Sequence, residues 1–377
     1  MTFSRAYNNG ALLQCYALSK AIQKSGNECV VLDYYPEYFR NLYCITKKFS
    51  LKHPPLKTYW QHFKLRKLIK ERNRNYEKFI NDNLTLTETV TSIKEIEEKC
   101  PDADIFVTGS DQVWNYGCTY FDRVFFLDFD KARRSKRFSY AACLGFKKEK
   151  LKDEYVSEYK RRLSGYEKIS LREASSVFMV EEMTGTKVRL DVDPTLLLDR
   201  YEWEKIADQS KEDKPYILIY YVQKTRKLQH YAKELVELYK EKGKDVKVIC
   251  VPCNTDFEVL SGKNDKEFCF DQRPSIGPAQ LIGFIKNAEF VLTNSFHGTV
   301  FSVIFQKQFL SMKIEDSGKL NVRVDEFLKQ MDLSMRTIEK SEDLSKCFEE
   351  IQYELIEKKL NDLRNDSTAY IESMGKS

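Results

Sequence analysis

A chain of 377 residues has room for two domains of ordinary size, each with its own core. Apolar residues at 42% and aromatics at 13% exclude a disordered chain. With 62 Lys and Arg against 57 Asp and Glu, the formal charge is only +5, which gives no ground for a nucleic-acid partner.

The ten cysteines fall mostly in apolar or strand-like runs with no signal peptide ahead of them, the pattern of reduced thiols in a cytoplasmic protein. Cys250 and Cys253 have CxxC spacing, but they close a strand and no second ligand pair lies nearby, so the spacing reads as coincidence. No apolar run reaches the ~20 residues of a membrane span. The expectation is a soluble protein that at most rests on the inner face of a membrane.

Along the chain, Asn8-Asn9-Gly10 forms a turn, followed by an amphipathic helix with Leu12, Cys15, Leu18 and Ile22 on one face and a strand over 29–34. This is a βαβ unit whose first strand is truncated: only Thr2 and Phe3 are left for it, so either the fold tolerates a stub or the start lies upstream. Residues 47–74 carry ten Lys or Arg against one acid, Glu71, with Trp60, Phe63, Leu65, Leu68 and Ile69 at helical spacing. Such a segment (47–80 in all) suits either a solvated helix or an anionic membrane surface.

Short strands are expected in "DADIFVTGSDQVWN" (102–115), "RFSYAACLG" (137–145) and "KISLREASS" (168–176). "VRLDVDPTLLLDRYEWEKI" (188–206) passes from strand through Pro194 into a helix and marks a junction. Strands at 216–222, 246–251 and 290–295 alternate with helices at 224–242, 277–288 and 298–306. A Ser341-capped helix carries Leu344, Cys347, Phe348, Ile351 and Leu355 on one stripe, and the last dozen residues look frayed. The expected organisation is an N-terminal α/β domain over 1–195, a C-terminal α/β domain over 196–340, and a helix with a frayed tail over 341–377.

No GxG and no GxxxxGK[ST] occurs, so dinucleotide and P-loop fingerprints are absent. "DFD" (128–130) imitates a metal-binding DxD, yet solvated carboxylates at the end of the strand-like run "VFFLDFD" are the plainer account. Four scattered histidines give no metal cluster, and no metal or cofactor is expected.

"TNSFHGTV" (293–300) places His297 where a buried strand hands over to a helix. Free N–H groups and the dipole at a helix start favour an anion such as phosphate. Gly298 would let a ligand approach, Ser295 and Thr299 would add hydroxyls, and His297 is a phosphate ligand, a proton donor, or merely a packed histidine behind a cap. Arg172, directly after a strand in "SLREASS", offers a fork for carboxylate or phosphate, or simply begins a helix. Asp111 and Gln112 in "GSDQVWN" accept a hydroxyl proton or cap the next segment.

Taken together, "NNGALLQCYAL", "ADIFVTGSDQVWN", "FSYAACLG", "ISLREASS", "DVDPTLLL", "GPAQLIGFIKNAEFVLTNSFHGTVFSVIF" and "KLNVRVDEFLKQMDLSMR" resemble, in order, the polysaccharide pyruvyl transferase family, over roughly residues 2 to 337. The resemblance implies two Rossmann-like parallel-sheet domains facing a central cleft, a GT-B-like α/β fold. It implies transfer of the enolpyruvyl unit of phosphoenolpyruvate onto a sugar as a ketal, with phosphoenolpyruvate as co-substrate and an oligosaccharide or lipid-linked sugar as acceptor. His297 and Arg172 then fall where the family's donor-binding residues lie. His297 and Asp111 become the expected catalytic residues, with Arg172, Ser295, Gly298, Thr299, Asn9, Gly10 and Gln112 binding substrate. Two rivals stand beside this reading: a glycosyltransferase using a nucleotide sugar, and a non-catalytic carbohydrate-binding derivative.

Overall fold

The structure, a computed structural model, describes residues 1–43, 56–145, 151, 153–209, 211–253, 270–314, 318–339 and 341–376. Most of the basic run at 47–74 therefore lies outside the described residues or their side chains. Within it the helix Leu56–Asn83 is formed. Its later turns bury Tyr76, Phe79 and Ile80.

In the N-terminal half, β1 (Ile105–Thr108) pairs in parallel with β2 (Lys136–Ser139), and β3 (Ile169–Leu171) with β4 (Val188–Leu190). Single bridges from Phe138 to Lys168 and from Ala142 to Leu171 join the pairs into one surface. The expected stub lies against β1: the Met1 amino group donates to the Val107 carbonyl at 2.6 Å, and Gly109 N–H donates to the Met1 carbonyl at 2.7 Å. The strand expected over 29–34 is not one. Val31 and Tyr34 make only isolated bridges, to Leu86 and Val90, so no continuous ladder forms.

The second half contains β5 (Tyr216–Tyr221), β6 (Lys247–Pro252), β7 (Asp271–Gln272), β8 (Phe290–Thr293), β9 (Phe309–Met312) and β10 (Thr337–Ile338). Among the described residues these form one parallel sheet in the order β10-β9-β8-β5-β6-β7. β5 and β8 are buried at every position, as strands covered on both faces must be. The chain leaves β5 toward β6 on one side and returns to β8 on the other, so the strand order reverses between β5 and β8. Open parallel sheets bind ligands outside the carboxyl ends of their strands at this switch point.

A continuous core unites the halves: Leu12, Leu13 and Ala17 of the Asn9–Lys24 helix pack with Trp203, Leu218, Phe301 and Phe305. The other face of the second sheet is covered by the Arg226–Glu241 helix through Leu228, Tyr231 and Leu235. Cys250 belongs to that face and Cys253 to the opposite one, so the CxxC pair is divided by the sheet. Two α/β halves across a cleft are the GT-B-like arrangement expected.

Three local expectations need correction. "VFFLDFD" is a 3₁₀ turn (Arg123–Phe126) followed by a short helix, and Asp128 is buried, accepting from Arg123 Nε at 3.1 Å and Arg133 Nε at 3.0 Å. The Ser341 segment is a 3₁₀ stretch, Ser341–Phe348, rather than the start of a long α-helix. The buried Arg336 guanidinium donates to the carbonyls of Lys346 and Glu349 at 2.7 and 2.6 Å, while Lys346 also accepts from Glu349 N–H at 3.1 Å in the tighter i to i+3 pattern.

The tail is not frayed either: Tyr353–Lys376 is a helix that buries Leu360, Tyr370, Ile371 and Met374. It docks on the N-terminal half through Ser367 Oγ to Asp191 at 2.8 Å and Tyr370 Oη to the Ser139 carbonyl at 2.8 Å. Among the described residues, no helix is long and apolar enough to cross a membrane.

Candidate functional site

β8 ends in Thr293, and the next two residues build the turn. Asn294 Oδ1 accepts from Val222 N–H at 2.7 Å and its Nδ2 donates to the Gln223 carbonyl at 2.6 Å, tying β8 to the end of β5. Ser295 caps the Phe296–Ile304 helix, its Oγ accepting from Gly298 N–H at 3.4 Å. His297 is thus held at the first turn of that helix, at the switch point. The Asn9–Lys24 helix of the other half begins against it: a Cβ on Gly10 would lie 2.2 Å from His297 Nδ1. Gly10 is required by this close approach, since any larger residue would displace the imidazole.

Arg172 follows β3 and Asp193 lies just beyond β4. Asp193 is fully enclosed, and Arg172 Nη1 donates to its Oδ2 at 2.6 Å. His297 Nε2 stands 3.8 Å from the same oxygen. The other Asp193 oxygen accepts from Thr195 N–H at 3.0 Å and Thr195 Oγ1 at 2.6 Å. One carboxylate therefore stands between a guanidinium of the first half and an imidazole of the second.

Burial pushes Asp193 up, but the His297 and Arg172 charges outweigh it and keep its carboxyl below the usual range. Burial also opposes the charge of Arg172, yet Cys143, Asp193 and Glu173 around it raise its pKa. For His297 burial wins over the pull of Asp193 and Asp111, and its pKa falls below the ordinary imidazole value. Three buried nitrogens in this cluster lack hydrogen-bond partners among the described residues: Arg172 Nε and Nη2, and His297 Nε2. Buried polar atoms without partners are rare and mark places where a ligand or water completes the set.

Two cavities meet at the cluster. A smaller one of about 200 Å³ is lined by Asn8, Asp111, Gln112, Ser295, His297 and Arg323 among others. A larger one of about 500 Å³ is lined by Arg172, Asp193, Phe296, Arg323 and Phe327 among others. Phe296 and Arg323 face both. His297 and Arg172 thus open onto adjoining cavities, bridged by Asp193.

Asp111 has a left-handed backbone, φ 73°, unusual for a residue other than glycine, and strain of this kind gathers at functional sites. Its Oδ1 accepts from Gln112 N–H at 2.8 Å, which fixes the carboxylate at the mouth of the smaller cavity. Gln112 Oε1 is engaged by Asn115 Nδ2 at 2.7 Å, leaving the amide nitrogen toward other partners. Asn9 is fully buried at the start of its helix.

Thr299 and Gly298, also expected to bind substrate, are packed within the fold. Thr299 Oγ1 donates to the Ser295 carbonyl at 3.1 Å and lies 3.1 Å from Ser311 Oγ. Gly298 lies close against the strand, where a Cβ would fall 2.2 Å from Thr293 Oγ1. Asp193, Arg323, Asn294 and Phe296 also stand around the cluster, and their sequence patterns do not single them out. Each lies inside a stretch that carried the family resemblance, but only the tertiary structure brings Asp193 and Arg323 to His297.

No curated protein sequence matches the chain. Among solved structures it is similar to MnaA of S. aureus with UDP, at 11% identity over 93% of this chain and 87% of that one, TM-score 0.46. It is similar to the UDP-GlcNAc 2-epimerase of Methanocaldococcus jannaschii, at 13% identity over 90% and 89%, TM-score 0.45. It is also similar to the spinosyn rhamnosyltransferase SpnG, at 10% identity over 98% of both chains, TM-score 0.41. The family model for polysaccharide pyruvyl transferase matches residues 8–316, which include His297, Arg172, Asp193 and Asp111. The chain belongs to the polysaccharide pyruvyl transferase family.

Proposed function

We propose that this family member transfers the enolpyruvyl unit of phosphoenolpyruvate onto two hydroxyls of one sugar in a surface polysaccharide or its precursor. The product is a cyclic ketal, and phosphate is released. The observation that carries the reading is the set of buried, unpartnered nitrogens on Arg172 and His297 at the switch point. They suit a small anionic donor, because each nitrogen can then make the charge-assisted hydrogen bond it lacks in the empty site.

In this reading Arg172 and the start of the Phe296–Ile304 helix take the donor phosphate. The arriving negative charge raises the pKa of His297, which is low in the empty site. Protonated His297 then delivers its proton to the methylene carbon, leaving a cationic carbon bonded to oxygen. A sugar hydroxyl oxygen bonds to that carbon, and its proton passes to Asp111. A second hydroxyl of the same sugar closes the ring as the carbon–phosphate oxygen bond breaks and phosphate departs with the electron pair. Both hydroxyl protons are accounted for: one replaces the proton spent on the methyl group, and the other leaves with phosphate or solvent.

A lipid-linked acceptor would bring the reaction to a membrane surface, where the basic segment 47–74 would dock on anionic lipid. The test is phosphate release from phosphoenolpyruvate in the presence of candidate oligosaccharides, with the product identified by mass. A product carrying one pyruvate ketal is expected. Release of a nucleotide from nucleotide sugars, with phosphoenolpyruvate inert, would replace this reading by glycosyl transfer.

A further inference from the structure

Arg323, on the Gly318–Gln330 helix, has a side chain only 13% exposed and lines both cavities. Its closest carboxylate among the described residues is Glu173, 3.9 Å from Nε, which is beyond hydrogen-bond reach. That Glu173 oxygen already accepts from Cys143 Sγ at 2.8 Å. The guanidinium is therefore largely enclosed, faces the site, and has its donors uncommitted among the described residues. An enclosed arginine in that state is costly unless something anionic completes it.

Phe296 decides where this charge stands. The Arg172 guanidinium lies 5.1 Å from the Phe296 ring centroid and that of Arg323 lies 5.6 Å from it. Each contact contributes cation–π attraction and keeps a flexible side chain in place. One ring thereby positions two planar forks, one from each half of the molecule, beside His297. A ligand with a single anionic group has use for one fork; two forks at one site suit two anionic groups on one small frame.

We infer that Arg323 is a donor-binding residue that holds the carboxylate of the donor while Arg172 and the helix start hold its phosphate. This rests on the donor reading above and adds to it the residue that recognises the second anionic group. Arg323 belongs to the second half and Arg172 to the first, so the donor draws the halves together as it binds. Glu173, near both guanidiniums, offsets part of their charge in the empty site.

The experiment measures binding of phosphoenolpyruvate and of inorganic phosphate to the full chain and to Arg323→Ala and Arg323→Lys, by calorimetry. Arg323→Ala is expected to weaken phosphoenolpyruvate about 10- to 100-fold, the range for losing a charge-assisted pair. Inorganic phosphate, which lacks the carboxylate, is expected to stay within about twofold. Arg323→Lys should restore only part of the loss, because a point charge does not reproduce the fork. Unchanged phosphoenolpyruvate binding in Arg323→Ala overturns the inference, and so does an equal loss for both anions. Parallel phosphate-release assays separate the two ideas: Arg323-dependent binding without pyruvyl transfer would sink the proposed reaction and leave the inference standing.

Discussion

At the scale of single residues, Asp193 joins the guanidinium of one half to the imidazole of the other. It holds Arg172 through one oxygen and faces His297 with the same atom, while Thr195 fixes the other. The charged groups that bear on His297 are Asp193, Asp111, Arg172 and Arg323, the first two raising its pKa and the arginines lowering it. Asp193→Asn keeps the shape and removes the charge, so the imidazole should titrate at lower pH in the variant. NMR titration reads this directly, and an unchanged midpoint would show that Asp193 does not act on His297.

The sign for donor binding follows. Binding of an anion raises a pKa that burial had lowered, so complex formation takes up a proton between the two values. Phosphoenolpyruvate affinity should therefore fall as pH rises through the neutral range and should lose that dependence in His297→Gln. Removing one charge-stabilising donor typically costs about 10²–10³ in turnover, and His297→Ala should lose at least that while unfolding normally. Arg172→Ala should lose as much and also unfold more easily, because Asp193 is left buried without its guanidinium. Gly10→Ala makes the same point by displacement: a methyl group within the imidazole's volume must push it away, and transfer should drop sharply although no chemical group is lost.

At the scale of elements, the turn after β8 works because Asn294 satisfies backbone groups that end β5. Asn294→Ala would remove its hydrogen bonds to the Val222 N–H and the Gln223 carbonyl, at a cost of about 1–3 kcal/mol seen as a lower denaturation midpoint. This turn was readable in the sequence, because a buried apolar run followed by Asn-Ser-Phe-His-Gly announces both the strand end and the cap. β5, β6 and β8 were readable for the same reason. The segment after Ser341 was not, since its apolar stripe has helical spacing, and only the folded chain shows Arg336 arriving to take its carbonyls. Asp193 and Arg323 escaped because one reads as a cap before proline and the other as one charge on an amphipathic helix. Their meaning lies in long-range contacts that no local pattern carries.

At the scale of the whole molecule, the Tyr353–Lys376 helix returns from the second half to the first. Its Ser367 and Tyr370 bond to Asp191 and Ser139, and Arg364 Nε donates to the Leu196 carbonyl at 2.9 Å. Tyr370→Ala removes a large buried ring and its hydrogen bond, and should lower stability by about 3–5 kcal/mol in urea unfolding. A midpoint matching the unaltered chain would mean that the helix contributes nothing to the union of the halves.

That return crossing also says where the union is most exposed to damage. Loss of the terminal helix would strip Ser139, Asp191 and Leu196 of these partners together, so the first half would loosen at that edge while the strands of the second half stayed paired.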